Sequence, residues 1–498
     1  MGEPCSLEIF RPVIRMLPEV RKPARIPPLQ EKLLWTFAGL VLFFVMYHVY
    51  PIGVLIVTNA RVEFMQIVFA SKVGSILTAG IGPIVLASIF LQLFVGAKII
   101  NVNMRDPKHK ELFSGTQKIL AILLSFLESG MYVMSGYVPV MGSGTEAYLA
   151  TQLIVTLQLA IGSIILLYLD EVLSKYGIGS GISLFIAAGV SLAVVQSTLG
   201  LNGIGLLPDA IKKIGEGGTD AIPKAILVFL PLVFTAIVFA ASVYAEGMKV
   251  EIPLAFERAR GFGGRFPIKF LYVSNLPVIL ASALIANFSW FFRASWPGIA
   301  KGLQIPLGGF NLMDMIATST GTGADAQLSG GIMYLLTPSF ANPMLIGGYD
   351  VYVNLLLSSS STLIVPFMGA VAIPEVFHVA TYVLFYVGLC VVFGRFWIET
   401  TGMDSRSVSE QLQSSGLNVP GYRRDPRITE RVLDRYIPTI TILGSAFVGM
   451  LAAFADLTGA VGTGTGILLT VGIYYRMYEQ LATERMFDLY PDLRKFVG

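Results

Sequence analysis

The sequence predicts an all-α polytopic membrane protein with ten transmembrane helices in two halves of inverted topology, helices 1–5 and helices 6–10. Three observations carry that prediction. Of the 498 residues, 54% are hydrophobic and only 13% charged, with a mean hydropathy of +0.70. Soluble domains carry about 25% charged residues, so this chain has too little charge to cover a water-facing surface. Ten apolar runs approach the roughly 20 residues that a helix needs to cross the hydrocarbon core. Finally, two short motifs recur in the same order in the two halves of the chain.

The apolar runs are 33–51, 73–97, 113–137, 147–169, 180–199, 222–245, 267–292, 375–398, 437–457 and 460–481. A cytoplasmic segment, 1–32, precedes them. No cleavable signal peptide is expected there, because the first apolar run is too long for such a peptide's core. The first half spans 33–200 and holds a mildly apolar excursion at 52–72 that is too short to cross. An external connection, 201–221, leads to the second half, 222–481. That half is interrupted by a long external loop rich in Gly and Ser, 293–374, whose apolar stretch at 344–373 reads as re-entrant or interfacial. The last two runs lie so close together that they predict a tight hairpin. A cytoplasmic tail, 482–498, follows.

Orientation follows from Lys and Arg, which favour the cytoplasmic side. With the N-terminus inside, 28 of the 35 basic residues fall on inner segments. The other seven, Arg61, Lys72, Lys212, Lys213, Lys224, Arg293 and Lys301, fall outside. Both termini are therefore expected in the cytoplasm. Cys5 and Cys390 offer no disulfide framework. His48, His109 and His378 lack ligand spacing, so neither metal nor cofactor is expected.

The recurrent motifs decide the topology. "YGIGSGISLFIAAG" at 176–189 is echoed by "VGTGTGILLTVG" at 461–472, and "GPIVLAS" at 82–88 by "LPVILAS" at 276–282. Each pair is five crossings apart, so its copies run in opposite directions, as in inverted-repeat transporters and channels. The glycine runs invite a second reading, a phosphate cradle. A dinucleotide fingerprint needs a preceding strand and an acidic residue about 20 positions on. After Gly181 the chain is apolar for that distance, and no GxxxxGK[ST] occurs. The glycines read instead as closely packed starts of membrane helices.

Branched apolar residues follow these motifs: Ile81 and Val85 around Pro83, Ile182 and Ile186 on one helix face, Ile279 after Pro277, and Leu469 after the second glycine run. Spacing alone makes them core. A narrow ring of such side chains would also dewet and block ions. Intramembrane ionisable groups usually mark a transport path. Here Glu128 is the one acid well inside a run, and Gln92 and Asn287 are candidates to join it between helices; a wet helix edge is the alternative. The basic cytoplasmic loops 246–269 and 399–436 fix topology and would also attract a large anionic partner.

The stretches "KYGIGSGISLFIAAGV", "YAEGMKVEIPLAFERARG", "FPIKFLYVSNLPVILA", "FWIETTGMD" and "SAFVGMLAAFADLTGAVGTGTGILLTVGIYYRMYEQL" resemble SecY of the Sec protein translocase, in its archaeal branch. The resemblance implies a clamshell around a central pore in the cytoplasmic membrane. Secretory polypeptides would cross through it, and membrane-protein helices would leave sideways into lipid. It assigns Ile81, Val85, Ile182, Ile186, Ile279 and Leu469 to the pore ring. The excursion 62–72 becomes a plug, with Val62, Glu63, Phe64, Met65, Gln66, Ile67, Val68 and Phe69. Gln92, Glu128 and Asn287 become polar residues of a lateral gate between helices 2 and 3 and helices 7 and 8. Arg258, Arg260, Arg265, Arg423 and Arg424 become ribosome-facing. The implied partners are SecE-like (gamma) and Sec-beta-like small subunits, the ribosome, signal sequences, nascent chains and membrane lipid, with no DNA. The external loop 293–374 is longer than the family pattern.

Two rival classes need different residues. A secondary transporter needs a midplane ionic site, for which only Glu128 and Asn287 offer themselves. An intramembrane enzyme needs a Ser/His or paired-Asp arrangement, and none is visible.

Overall fold

The computed structural model describes residues 6–25, 27–55, 70–96, 99–100, 102, 106–141, 145–200, 205–215, 217, 221–256, 263–273, 276–302, 306–307, 310–320, 327–338, 349–358, 360–365, 369–414, 417–418 and 426–489. Ten helices occupy the apolar runs: α1 (Leu29–His48), α2 (Gly82–Gly96), α3 (Pro107–Met134), α4 (Thr145–Tyr176), α5 (Gly181–Leu199), α6 (Leu230–Gly247), α7 (Leu276–Trp290), α8 (Glu375–Thr401), α9 (Pro426–Leu457) and α10 (Gly464–Leu489). Eight of them are long and apolar enough to cross a membrane; the other two are α2 and α10. Helix α10 has the length, but Arg476 and Glu479 make its second half polar.

Helix α2 is shorter than the run 73–97 predicts, with 15 residues. Residues 73–81 make turns instead, because Gly74 and Gly80 adopt positive φ and Pro83 suits a helix's first turn. Irregular backbone at membrane depth is tolerated where protein encloses it and its polar groups find partners. Here Thr78 Oγ1 accepts the Gly74 N–H at 3.1 Å, Ser75 Oγ accepts the Leu77 N–H at 3.2 Å, and the Val49 carbonyl accepts the Ile76 N–H at 2.8 Å. Gly162 of α4 makes room for this segment: a Cβ there would sit 2.1 Å from the Ile76 carbonyl oxygen. The sixth run also breaks, into Ala221–Val228 and α6, at Phe229 just ahead of Pro231.

Within the first half α1 packs on α4, α2 on α3, and α3 on α4; within the second, α6 packs on α10, α7 on α8, α8 on α9, and α9 on α10. The halves meet along two seams. On one, α2 packs against α7 and α8; on the other, α5 packs against α10. The 18 residues Leu276–Arg293, α7 with the helical turn that continues it, are 61% buried against 22% for α1, so α7 is central and α1 peripheral. Tail-like side chains gain little from meeting each other rather than lipid, so small residues that admit close approach carry much of the packing.

Two satellite structures brace the halves. The N-terminal turns, Ser6–Phe10 and Arg11–Ile14, bury Leu7 against Leu91 of α2 and Leu112 and Phe113 of α3. The chain then crosses α3 and α4: Glu171 bonds Lys118 at 2.7 Å and Lys175 at 2.9 Å and accepts the Val20 N–H at 3.3 Å. The loop between α7 and α8 builds a sheet from β3 (Thr318–Thr320), β4 (Gln327–Gly330), β5 (Ser360–Val365) and β6 (Gly369–Pro374), in that order. The stretch 344–373 contributes the helix Tyr349–Ser358 and the β5–β6 hairpin, and none of its described part spans. The tyrosines of that helix hold it down: Tyr349 donates to the Thr458 carbonyl and Tyr352 to the Leu457 carbonyl, each at 2.7 Å. Leu457 ends α9 and Thr458 opens the short α9–α10 connection, the tight hairpin the sequence predicts.

Candidate functional site: an apolar constriction between two helical halves

The recurrent motifs start helices at matching points. Helix α2 begins at Gly82 with Pro83 second, α7 at Leu276 with Pro277 second, so Val85 and Ile279 are each the fourth helical residue. Helix α5 begins at Gly181 and α10 at Gly464, so Ile186 and Leu469 are each the sixth. Gly179 and Gly462, two residues before those starts, both take left-handed φ, 74° and 84°, which a side chain would strain. Structurally, then, the glycine runs align Gly179 with Gly462 and Gly181 with Gly464.

The predicted ring residues lie in or against the main apolar core, which runs through both halves. Ile81, Val85, Ile186, Ile279 and Leu469 are buried in one continuous apolar cluster, and Ile182 packs against it half-buried. The four helices that deliver them, α2, α5, α7 and α10, belong to both halves and line both seams. Such a junction of branched aliphatic side chains offers no hydrogen bond to an ion or to water.

The plug residues 62–69 lie outside the described residues. The next residue, Ala70, is 1% exposed and belongs to the same apolar cluster, close to Gly189 of α5.

The polar gate candidates stand on three helices, Gln92 on α2, Glu128 on α3 and Asn287 on α7, and no hydrogen bond joins them. Gln92 donates to Ser88 at 2.9 Å and Asn287 to the Ala283 carbonyl at 2.9 Å, each within its own helix. Glu128 is buried with neither carboxyl oxygen paired, and Gln92 Oε1 is likewise unpartnered. Between α3 and α7 lie aromatic contacts that sequence reasoning missed. Tyr132 of α3 meets Trp290 of α7 edge-to-face at 4.6 Å, and Tyr137 lies 6.4 Å from the same indole. Nothing in their spacing marks them, since the contact exists only once α3 and α7 are side by side.

The loop after α6 is a hairpin of β1 (Lys249–Phe256) and β2 (Gly263–Lys269), a pairing the sequence reading did not anticipate. Strand β7 (Leu417–Asn418), from the loop between α8 and α9, adds to β1 through Ala255 with Asn418 and Phe256 with Leu417. Arg265 is on β2, opposite Pro253. Arg258, Arg260, Arg423 and Arg424 lie outside the described residues. The described residues contain no group of three His, Cys, Asp or Glu placed to hold a metal.

These features define a polytopic helical membrane protein built from two inverted five-helix halves. The chain belongs to the SecY family, whose family model matches residues 75–478. It is 39% identical over 491 residues to the protein translocase subunit SecY of Methanococcus vannielii, covering 98% of this chain and 99% of that one. The SecY of Methanocaldococcus jannaschii is 40% identical with the same coverage. Among solved structures, one described as a protein conducting channel superposes with a TM-score of 0.75 at 39% identity, covering 97% of this chain and 98% of that one. Sec61 in a canine ribosome–channel complex gives 0.73 at 38%, with the same coverage.

Proposed function

We propose that this chain is the channel through which secretory polypeptides cross the cell membrane and from which membrane-protein helices pass into lipid. The observation that carries the proposal is that Ile81, Val85, Ile186, Ile279 and Leu469, from both halves, are buried in one apolar cluster, with Ile182 packed against it. That constriction excludes ions yet grips nothing, so a sliding chain of any sequence can part it. The excursion at 62–69 acts as the plug, a role supported by the burial of Ala70 against α5.

The seam of α2 and α3 with α7 and α8 is the lateral gate, and a signal helix wedges into it where its apolar face meets lipid. The α5–α10 seam stays closed, joined by the Ser191–Tyr474 hydroxyl contact at 2.8 Å. The paired cytoplasmic loops, with Arg258, Arg260, Arg265, Arg423 and Arg424, form the ribosome-facing surface. Their sharing of one sheet supports the assignment, because it presents both basic loops together. Small SecE-like and Sec-beta-like subunits complete the complex, and both termini are cytoplasmic. The polypeptide is driven by translation or by a partner.

The test is ion leak. Replacing Ile182 and Ile186 together with glycine should raise the conductance of reconstituted vesicles, and an unchanged conductance would count against the ring.

A further inference from the structure

The aligned glycine runs share one more feature, in side chains outside both motifs. At the start of α5, Asp170 from the end of α4 reaches back, and its Oδ1 accepts the Ile182 N–H at 2.8 Å and the Ser180 hydroxyl at 3.2 Å. The Gly181 N–H also bonds to this carboxylate. At the start of α10, Asp456 from the end of α9 accepts the Gly464 N–H at 2.8 Å, and the Thr465 N–H bonds to it as well. In each half, therefore, a carboxylate from the preceding helix caps the helix that carries a ring residue at its sixth position. At α5 the cap residue itself does not do this, since Ser180 makes no capping bond to its own helix; at α10 Thr463 adds a bond of its own, its Oγ1 accepting the Gly466 N–H at 3.2 Å.

We infer that Asp170 and Asp456 are positioning residues of the seal, a reading that rests on the ring assignment above. The first amides of a helix have no partner within it, and a carboxylate there gains both from the bonds and from the helix dipole. A cap from the neighbouring helix does more than satisfy those amides. It fixes the depth and rotation of α5 against α4, and of α10 against α9, and so fixes where Ile182, Ile186 and Leu469 point. The fit is close in both halves, since a Cβ on Gly181 would lie 2.7 Å from Asp170 Cα and one on Gly464 would lie 2.9 Å from the Asp456 N. Asp456 also receives the Tyr382 hydroxyl of α8 at 3.4 Å, and Tyr386 of the same helix meets Thr465 at 3.2 Å. The start of α10 is thus tied to a helix of the α2–α7–α8 seam as well as to α9.

The experiment compares the full chain, purified as its complex and reconstituted in vesicles, with Asp170→Ala, Asp456→Ala, Asp170→Asn, Asp456→Asn and Ile186→Gly. Ion leak and thermal midpoint are measured on each. The alanine variants should leak roughly tenfold or more above the parent, the factor expected for losing one charge-assisted hydrogen bond from the sealed state. The asparagine variants keep an acceptor oxygen without the charge and should leak less than the alanine variants, a partial rescue that general loss of stability would not produce. Parent-level leak in the alanine variants while Ile186→Gly leaks would overturn the inference and leave the ring standing. Parent-level leak in Ile186→Gly as well would sink the ring and the inference together. If an alanine variant fails to assemble, Asp170→Ser supplies a shorter acceptor. Leak between the parent's and that of Ile186→Gly would support the inference, and parent-level leak would overturn it.

Discussion

Trp290→Ala tests whether the α3–α7 contact holds the proposed gate closed. The indole is 3% exposed and meets the Tyr132 ring at 4.6 Å and 81°, with Tyr137 a second edge at 6.4 Å and 79°. Truncating a buried Trp costs about 3–5 kcal/mol of folding stability, but most of that loss falls equally on closed and open forms. The part specific to closure is the aromatic pairing between α3 and α7, about 0.5–1.5 kcal/mol for the closer pair. A loss near 1 kcal/mol shifts the closed-to-open ratio by about fivefold. The assay is channel opening in a planar bilayer against the concentration of added signal peptide. The half-maximal concentration should fall by about that factor, and Trp290→Phe, which keeps an aromatic ring, should fall less. An unchanged or higher concentration, in a variant whose stability has dropped, would refute the reasoning. It would mean that α3 and α7 stay in contact when the channel opens.

Three further outcomes follow from other parts of the molecule. Gly464→Ala places a Cβ 2.3 Å from the Ala452 carbonyl oxygen and should cost about 1–3 kcal/mol by overpacking, read as a lower thermal midpoint. Gly388→Ala in α8, with nothing within 4 Å, should instead gain up to about 1 kcal/mol; equal midpoints for the two would contradict the packing described. Glu171→Ala removes the carboxylate that binds Lys118, Lys175 and the Val20 amide, so trypsin should cut faster after Arg21 and Arg25; an unchanged rate would show that the N-terminal brace is held elsewhere. Tyr352 is buried, which pushes its phenol up to about 12, and it donates to the Leu457 carbonyl. A raised folded-state value means stability present below the ordinary tyrosine range and lost as pH rises through about 12. Tyr352→Phe should therefore lower the midpoint by the worth of one hydrogen bond, about 0.5–1.5 kcal/mol near neutral pH. The gap from the parent should close toward pH 12, and a gap that widened there would reverse the assignment.

The fold was legible because lipid as solvent leaves one dominant signal, long apolar runs, and because the halves repeat. The ring assignment draws on a related pattern: Val85 and Ile279, and Ile186 and Leu469, occupy matching places in motifs that recur. Two kinds of feature were hidden. Residues 73–81 look like a helix in composition, yet glycines and side-chain hydrogen bonds fold them into turns that only an enclosing protein permits. Contacts such as Tyr132–Trp290, Asp170–Ile182 and the β1–β7 pairing join residues with no local pattern, so they emerge only from packing. The polar gate candidates show the limit of composition from the other side. Gln92, Glu128 and Asn287 share a region, yet each is held within its own helix or unpaired.

The central claim is that a translocating polypeptide passes the cluster containing Ile182. With Cys5 and Cys390 replaced by alanine, a cysteine at position 182 should crosslink to a nascent chain stalled on the ribosome. A cysteine at Leu384, which is 73% exposed on α8, should not. Crosslinks from 384 with none from 182 would place the path outside the ring and contradict the account.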